Sequence, residues 1–322
     1  MQIGSANHKR WAVILAGGEG VRLRSLTRLV SGDDTPKQFC PLLSGRTLLA
    51  QTKQRIARSI SSDRTLYVLL GSHERFYKNE LRTVAPDCML VQPFNRGTLP
   101  AILLSLIRIA REDEDAVVGF FPSDHHYSEE HRFMSGVDLA FMAAGVDRDS
   151  VTLLGVAAKH PEVDYGWIEA EATSSARSRN GLLRVKRFWE KPSPRVAQDL
   201  LERGCVWNTF VMIGRAQAFL NMIQIGAPQI YQEFEPIMEA PERSFDKAAL
   251  ADAYQQIPSA DFSHLVLSAA PERLGVLCLG DVGWSDLGDP SRVIKMLSET
   301  GAQNEWINRW QERSAAVAVA GN

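Results

Sequence analysis

The chain has 322 residues, 45% of them hydrophobic, which is enough apolar material for a large packed core. Its 36 basic and 38 acidic residues give a formal net charge of -2, which excludes the broad positive surface that nucleic acids and anionic membranes require. The four cysteines are far apart and show no C-x-x-C spacing, so neither a zinc site nor a disulfide framework is indicated.

The segment before the first apolar run, MQIGSANHKR, lacks the apolar core of a secretory signal. No stretch of the sequence approaches the ~20 apolar residues that a membrane span needs. We therefore expect a soluble cytoplasmic protein with reduced cysteines, and we expect neither a nucleic-acid partner nor a membrane partner.

Short β-rich segments alternate with amphipathic segments in the first half of the chain. The candidate strands are WAVILAG at 11–17, TLYVLLG at 65–71, CMLVQP at 88–93 and DAVVGFFPSD at 115–124. Apolar residues three and four positions apart, typical of helices that cover a sheet, occur in 47–61, 73–84 and 98–110. The alternation predicts βαβ units whose right-handed crossovers place the strand ends along one sheet edge.

From about residue 151 the pattern changes to that of a mixed sheet. The candidate strands are VTLLGVAA, GWIEAEA, LLRVKRFWEKP and VWNTFVMIG, and a polar loop is expected at 173–181. A helical stretch over roughly 215–256, a strand at 274–279 and a helix from Pro290 into the tail follow. We found no linker, repeat or low-complexity tract, so we expect one α/β domain over 1–295 and a C-terminal helical tail over 296–322.

A glycine-rich loop, LAGGEG at 15–20, follows the first candidate strand and precedes Arg22. The dinucleotide-binding fingerprint would need a third glycine where Leu23 stands, and a P-loop would need a Gly-Lys-Ser/Thr sequence that is missing here. The loop alone leaves two interpretations of equal weight. One is a tight turn that needs positive φ, and the other is a phosphate-binding loop of main-chain amides assisted by Arg22.

Further motifs follow the glycine loop in a fixed order. They are Pro36-Lys37-Gln38-Phe39, Asn95-Arg96-Gly97-Thr98-Leu99-Pro100-Ala101, Pro122-Ser123-Asp124-His125, Asp164-Tyr165-Gly166-Trp167-Ile168, Glu190-Lys191-Pro192, Trp207-Asn208 and Gly283-Trp284-Ser285-Asp286-Leu287-Gly288. Together with the glycine loop, they resemble the sugar-phosphate nucleotidyltransferase family over roughly residues 11–295. The Lys-Gln-Phe version is similar to the mannose-1-phosphate guanylyltransferase branch. The resemblance implies a catalytic domain with a Rossmann-like, GT-A-like three-layer α/β/α fold around a mixed, mostly parallel sheet.

The reaction that this resemblance implies is attack by the phosphate oxygen of a sugar 1-phosphate on the α-phosphorus of a nucleoside triphosphate, with release of pyrophosphate. GTP and mannose 1-phosphate are the expected substrates. The alternatives are glucose 1-phosphate, another base, or a catalytically silent regulatory protein that binds nucleotide sugars. A phosphate dianion is already nucleophilic, so catalysis should depend on in-line positioning and charge neutralisation rather than on a histidine base.

The resemblance also implies a role for individual residues. Arg22 would hold the triphosphate that becomes pyrophosphate, Lys37 the α-phosphate, and Lys191 the sugar phosphate. The implied nucleotide-binding residues are Leu15, Ala16, Gly17, Gly18, Glu19, Gly20, Arg96 and Thr98. The implied sugar contacts are Tyr165, Gly166, Glu190 and Asn208. Asp124 and Asp286 would bind Mg²⁺, which prefers hard carboxylate oxygens.

Four residues depart from the pattern usual in the family. Val21 stands where Thr or Ser is usual, Ser25 replaces a proline, Gly97 replaces an asparagine, and Phe210 occupies a glycine position. We expect the bulky Phe210 to reshape the sugar pocket. The charged set is intact, so we expect activity to be retained while the sugar and the base stay open. Family analogy alone suggests a homodimer through the helical C-terminal part.

Overall fold

The computed structural model describes residues 9–43, 45–171, 181–239, 247–300, 306–310 and 312. Of the polar loop predicted at 173–181, all but Gly181 lies outside the described residues. Of the tail predicted over 296–322, residues 301–305, 311 and 313–322 lie outside them.

The strands are β1 (Arg10–Leu15), β2 (Thr65–Leu70), β3 (Met89–Gln92), β4 (Val117–Pro122), β5 (His126–Tyr127), β6 (Val151–Ala157), β7 (Gly166–Ala170), β8 (Leu182–Glu190), β9 (Val206–Arg215), β10 (Leu274–Cys278) and β11 (Trp284–Ser285). The helices are α1 (Arg24–Ser31), α2 (Leu48–Ile56), α3 (Glu74–Tyr77), α4 (Thr98–Glu112), α5 (Glu130–Val146), α6 (Pro194–Glu202), α7 (Ala216–Gly226), α8 (Pro228–Glu233), α9 (Glu235–Glu239), α10 (Lys247–Gln256) and α11 (Pro290–Thr300). All four strands predicted in the first half are present. The segment 73–84, predicted as a helix, is α-helical only over α3 and continues as turns.

The central sheet of the described chain has nine strands in the order β3-β2-β1-β4-β9-β6-β10-β8-β7. Strands β8 and β9 run opposite to the other seven, so the predicted mixed and mostly parallel sheet is confirmed. Residue Leu15 of β1 pairs with Val68 of β2 and with Pro122 of β4. The loops that follow these parallel strands therefore leave the sheet at one edge, as the βαβ pattern predicts.

The sheet is covered on both faces, which gives the predicted three layers. Alternate residues of β1 enter different cores: Trp11 and Val13 pack with α4 and α7, whereas Ala12 and Ile14 pack with α2 and α5. Fully burying each aliphatic side chain of this kind stabilises the fold by about 1.5–3 kcal/mol. A short run of buried apolar residues is what a parallel strand between two helix layers requires.

A third apolar cluster lies beside the glycine loop. Leu23, just before α1, and Leu26 in its first turn pack there with Val293 of α11 and with Trp306 from the described part of the tail. The C-terminal helical residues therefore support the helix that follows the glycine loop. In the part of the chain that the structure describes, no helix is long and apolar enough to cross a bilayer.

Candidate active site

A cavity of about 420 Å³ lies at the sheet edge where β1 and β4 end. The predicted site residues that line it are Leu15, Gly17, Gly18, Thr98, Asp124, Tyr165, Gly166, Glu190, Asn208 and Asp286. A smaller cavity of about 280 Å³ is lined by Gly20, Val21, Arg22, Leu23, Lys37 and Gly288. The fold thus brings residues from all the predicted motifs to one edge of the sheet.

The glycine loop is both a tight turn and an open stretch of main chain. Gly20 has φ 60°, and a Cβ on Gly17 would lie 2.9 Å from Nε2 of Gln92. A Cβ on Gly18 would meet no described atom within 4 Å, so its main chain is open to a ligand. The buried Gln38 amide donates hydrogen bonds to the carbonyls of Ala16 at 3.0 Å and Gly18 at 2.7 Å, which fixes the peptide planes of the loop.

Lys37 joins two carboxylate-bearing loops that are far apart in the sequence. Its ammonium lies 3.1 Å from Oδ2 of Asp124 and donates a 2.7 Å hydrogen bond to the main-chain oxygen of Asp286. The side chains of Lys37 and Asp124 are only 13% and 21% exposed. A charge pair that is largely removed from water interacts more strongly than a surface pair.

The two-stranded sheet of β5 and β11 causes this convergence. Tyr127 pairs with Trp284, and His126 pairs with Ser285, so the loop that carries Asp286 lies against the end of the segment that carries Asp124. The indole of Trp284 donates a 3.2 Å hydrogen bond to Nδ1 of His125. Burial lowers the pKa of His125, so this ring is kept neutral at the base of the site.

The Asp286 carboxylate is held by several donors. Its Oδ1 accepts hydrogen bonds from the Tyr165 hydroxyl at 2.9 Å, from the Gly288 amide at 3.0 Å and from the Arg292 guanidinium at 2.8 Å. Burial alone would raise the pKa of Asp286, but the charges of Lys37 and Arg292 and the hydrogen bond from Tyr165 outweigh it and hold that pKa below its ordinary value. Asp286 is therefore ionised at neutral pH.

The predicted sugar contacts come together at the far side of the cavity because β7 pairs with both β8 and β9. A Cβ on Gly166 would lie 3.1 Å from Oε2 of Glu190 and 3.3 Å from Cβ of Asn208. A side chain at this position would also meet Cζ of Phe188 at 2.8 Å, so Phe188, Glu190 and Asn208 would all have to shift. Phe210 also lines this cavity, in a left-handed conformation with φ 61° that favours glycine.

Glu190 carries an unusual protonation equilibrium. Burial raises the pKa of its carboxyl to about 7, the charge of Asp261 adds to this shift, and Lys191 opposes it. Because this pKa is above the value of about 4.3 in an unfolded chain, the folded state keeps its proton to higher pH. Its contribution to the unfolding free energy is then fully present below about pH 4 and is lost as the pH rises through about 7.

The Glu190→Gln variant is expected to remove this pH dependence. The wild type should lose roughly 2–3 kcal/mol of unfolding free energy relative to the variant between about pH 5 and pH 8. Urea unfolding of both proteins at the two pH values measures the difference, and the other titrating groups cancel in the comparison. Parallel pH profiles for the two proteins would show that the Glu190 carboxyl titrates normally.

The 95–98 loop, which is predicted to bind the nucleotide, contacts the segment 260–262, which the sequence did not indicate as part of the site. Gly97 has φ 85°, and a Cβ there would lie 2.3 Å from the main-chain oxygen of Ala260. The Leu99 amide donates to the same oxygen at 3.1 Å, and the Thr98 hydroxyl accepts from the Phe262 amide at 2.8 Å. Glycine instead of the usual asparagine at 97 is therefore explained by this close approach.

Some predicted residues lie outside the larger cavity. The Arg22 side chain is exposed and contacts Asp164 at 3.0 Å, and the Lys191 ammonium, on a side chain that is 62% exposed, lies 3.7 Å from Glu190. Arg96 donates a 2.8 Å hydrogen bond to the main-chain oxygen of Tyr254 and is not a lining residue. Ala16 is buried, and the exposed Glu19 lies 3.6 Å from Arg24.

Several polar residues at the site were missed by sequence reasoning. Gln92, Asp261 and Ser263 line the cavity, and Glu162 and Arg292 contact its wall. Gln92 is buried at the end of the edge strand β3, in the sequence LVQP, and a polar residue at the end of a candidate strand was an available signal. For the other four residues we find no signal in the sequence, because they lie in loops or at a helix start.

The fold and the cavity define an α/β protein with a glycine-rich turn and two carboxylates at the carboxyl edge of its sheet. The chain belongs to the nucleotidyl transferase family, whose family model matches residues 11–303. It is similar to alginate biosynthesis protein AlgA of Pseudomonas fluorescens, with 32% identity over 281 residues that cover 86% of this chain and 56% of the relative. It is also similar to mannose-1-phosphate guanylyltransferase 2 of Escherichia coli O157:H7, with 27% identity over 301 residues that cover 90% of this chain and 61% of the relative.

Solved structures share this fold. The crystal structure of a protein described as mannose-1-phosphate geranyltransferase from Thermus thermophilus superposes with a TM-score of 0.77 and 26% identity, over 92% of this chain and 80% of that one. The inositol-1-phosphate CTP transferase from T. maritima matches with a TM-score of 0.54 at 15% identity, which supports the fold alone. The chain spans less than two thirds of the length of the two curated relatives described above.

Proposed function

We propose that this chain transfers a nucleotidyl group from a nucleoside triphosphate to a sugar 1-phosphate and releases pyrophosphate. The observation that supports this most is the contact of Lys37 with both Asp124 and the Asp286 main chain, two groups at the larger cavity that Lys37 reaches from the smaller cavity beside Gly20. The names of the relatives favour GTP and mannose 1-phosphate. Glucose 1-phosphate or another base are the alternatives.

In this proposal the two substrates enter the cavity from opposite sides. The triphosphate lies along Leu15 to Gly20 with the nucleoside toward Thr98, and the sugar lies against Tyr165, Gly166, Glu190 and Asn208. The Lys37 ammonium contacts Asp124 and the Asp286 main chain at the wall of the cavity, and from there it would offset the charge of the attacking phosphate and the α-phosphate. No general base is required, because the attacking oxygen is already an anion.

The two cations at the rim would act on the outer phosphates. Arg22 would exchange its exposed ion pair with Asp164 for the phosphates that leave as pyrophosphate. Exposed pairs of this kind contribute only about 0–1 kcal/mol, so the exchange costs little. Lys191 follows the sugar-binding strand β8, and its exposed ammonium is free to swing from Glu190 toward the sugar phosphate. Both roles use flexible, solvated side chains that order when the substrates bind.

Enzymes of this family generally use a divalent metal. The described residues contain no group of three or more His, Cys, Asp and Glu placed to hold one, but Mg²⁺ usually takes only one or two carboxylates and completes its shell with water and substrate phosphates. Asp124 and Asp286 meet that requirement at the wall of one cavity. When bound there, Mg²⁺ would withdraw charge from the phosphate oxygens as a Lewis acid.

The charge around the site also suits a divalent cation. Ion pairs connect the carboxylates of Asp124, Glu162, Asp164, Asp286 and Asp289 to the three cations Arg22, Lys37 and Arg292. With the histidines neutral, this described network carries two more negative than positive charges, which a divalent ion would neutralise.

The direct test is pyrophosphate release with Mg²⁺ for GTP, ATP, UTP, dTTP and CTP, each combined with mannose 1-phosphate and with glucose 1-phosphate. Turnover with GTP and mannose 1-phosphate alone is the expected result. Another productive pair would keep the reaction and correct the substrates. Nucleotide binding without any turnover, by protein shown to be folded, would instead favour a silent regulatory protein.

The cytoplasmic location expected from the sequence stays a prediction. The homodimer that family analogy suggests also stays a prediction.

A further inference from the structure

Arg292 lies in the first turn of α11 and has acidic neighbours on several sides. Its guanidinium contacts Asp286 at 2.8 Å, Glu162 at 2.7 Å and Asp289 at 3.0 Å, and Asp164 lies 3.8 Å away. The guanidinium also lies over the Tyr165 ring, 4.6 Å from its centroid. The Arg292 side chain is only 16% exposed. None of the family motifs described above includes this residue.

These contacts join two loops that are otherwise separate in the sequence. Glu162 organises the first loop, since its Oε1 accepts from the amides of Val163 and Asp164 at 2.9 Å and 3.0 Å while its Oε2 accepts from Arg292. The second loop carries Asp286, whose Oδ1 also accepts the hydrogen bond of the Tyr165 hydroxyl. Arg292 therefore holds the backbone that leads into Gly166 and the Asp286 carboxylate in one arrangement.

The shape of the side chain matters here as well as its charge. A guanidinium has five donors in a fixed plane and reaches several acceptors at once, and its flat face stacks on an aromatic ring. A lysine ammonium at the same position would keep the charge but is a single point on a flexible chain. A side chain that served only to neutralise its acidic neighbours would be replaceable by lysine.

We propose that Arg292 is a positioning residue that fixes the 162–165 loop to Asp286 and thereby sets the affinity for the sugar 1-phosphate. This inference rests on the proposed function and adds a residue that determines sugar-phosphate binding. Arg292 acts through Glu162, Tyr165 and Asp286 and does not itself touch the substrate. The 95–98 loop makes none of these contacts, and among the described residues Arg292 is linked to Arg22 only through the exposed Asp164, which lies 3.8 Å from Arg292, so binding of the nucleoside triphosphate depends on Arg292 much less.

The test compares Arg292→Lys with the wild type in two measurements. One is the direct binding of sugar 1-phosphate by calorimetry without nucleotide or metal, and the other is the KM of each substrate in steady-state turnover. Sugar 1-phosphate affinity is expected to fall about 10- to 100-fold, which is the usual loss of metal affinity or activity when a group that orients metal ligands is changed. The KM of the nucleoside triphosphate is expected to change less than about threefold. Glu162→Gln, which leaves Arg292 in place, should lower the affinity for sugar 1-phosphate by a smaller factor.

Arg215→Lys is the matched control. Arg215 has a side chain that is 15% exposed and pairs with Asp115 at 3.1 Å, at the opposite end of β4 from the cavity. This variant should leave both substrate affinities unchanged. Wild-type sugar-phosphate binding by Arg292→Lys, or equal loss of affinity for both substrates, would overturn the inference and leave the proposed function standing. Failure of the wild type to bind or turn over any substrate pair would overturn both.

Discussion

Replacing Lys37 by methionine is expected to lower turnover of the productive substrate pair by about 10²- to 10³-fold, the usual loss when one preorganised group that stabilises developing charge is removed. The ammonium contacts Asp124 and the main chain at Asp286, so in our proposal it lies where two anionic substrates meet. Methionine has a similar length and no charge. The measurement is pyrophosphate release at saturating concentrations of both substrates.

Stability and activity should separate in the double variant. Lys37→Met alone leaves Asp124 as a mostly buried carboxylate without its ion-pair partner, which is expected to lower the unfolding free energy by about 1–3 kcal/mol. Adding Asp124→Asn removes the unpaired charge and should restore most of that stability, but it should restore no activity. Lys159→Met is the control, because this exposed lysine pairs with Asp281 and lines neither cavity. If Lys37→Met kept more than about a tenth of wild-type turnover, the proposed role of Lys37 would be contradicted.

The strands and the sheet edge could be predicted because buried strands and amphipathic helices leave different periodicities in the sequence. After Arg10, β1 reads WAVIL, a run without a polar residue, as a strand between two helix layers should. The loop after β1 and the residues after β4 must then leave the sheet at one edge. The proximity of the glycine loop and Asp124 thus follows from local pattern and right-handed crossovers.

The other half of the site could not be derived in this way. Asp286 reaches Lys37 because β5 and β11 pair, and each of these strands has only two residues, too few to show any periodicity. Only the resemblance to a family placed Asp286 in the site. Asp261 and Arg292 were missed because their positions depend on how loops and a helix start dock onto the sheet edge, which the sequence pattern does not specify.

The Asp124→Asn variant is also expected to lose about 10²- to 10³-fold in turnover. The fold should tolerate this change, since Lys37 keeps its 2.7 Å hydrogen bond to the Asp286 main chain. We expect an unfolding free energy within about 1 kcal/mol of the wild type. The same change at Asp286 should behave differently, because that carboxylate accepts hydrogen bonds from Tyr165, Gly288 and Arg292.

Asp286→Asn is expected to lose activity and also about 2–4 kcal/mol of stability, since it leaves the partly buried Arg292 without its closest contacts to the second loop. Urea unfolding, pyrophosphate release and titration with Mn²⁺ as a spectroscopic probe separate the two variants. Both should bind Mn²⁺ more weakly than the wild type, whereas only Asp286→Asn should unfold earlier. Wild-type Mn²⁺ binding by Asp124→Asn would remove Asp124 from the proposed metal site. A stable Asp286→Asn variant would instead mean that Arg292 is held by its other carboxylates, and Asp286 would then serve the metal alone.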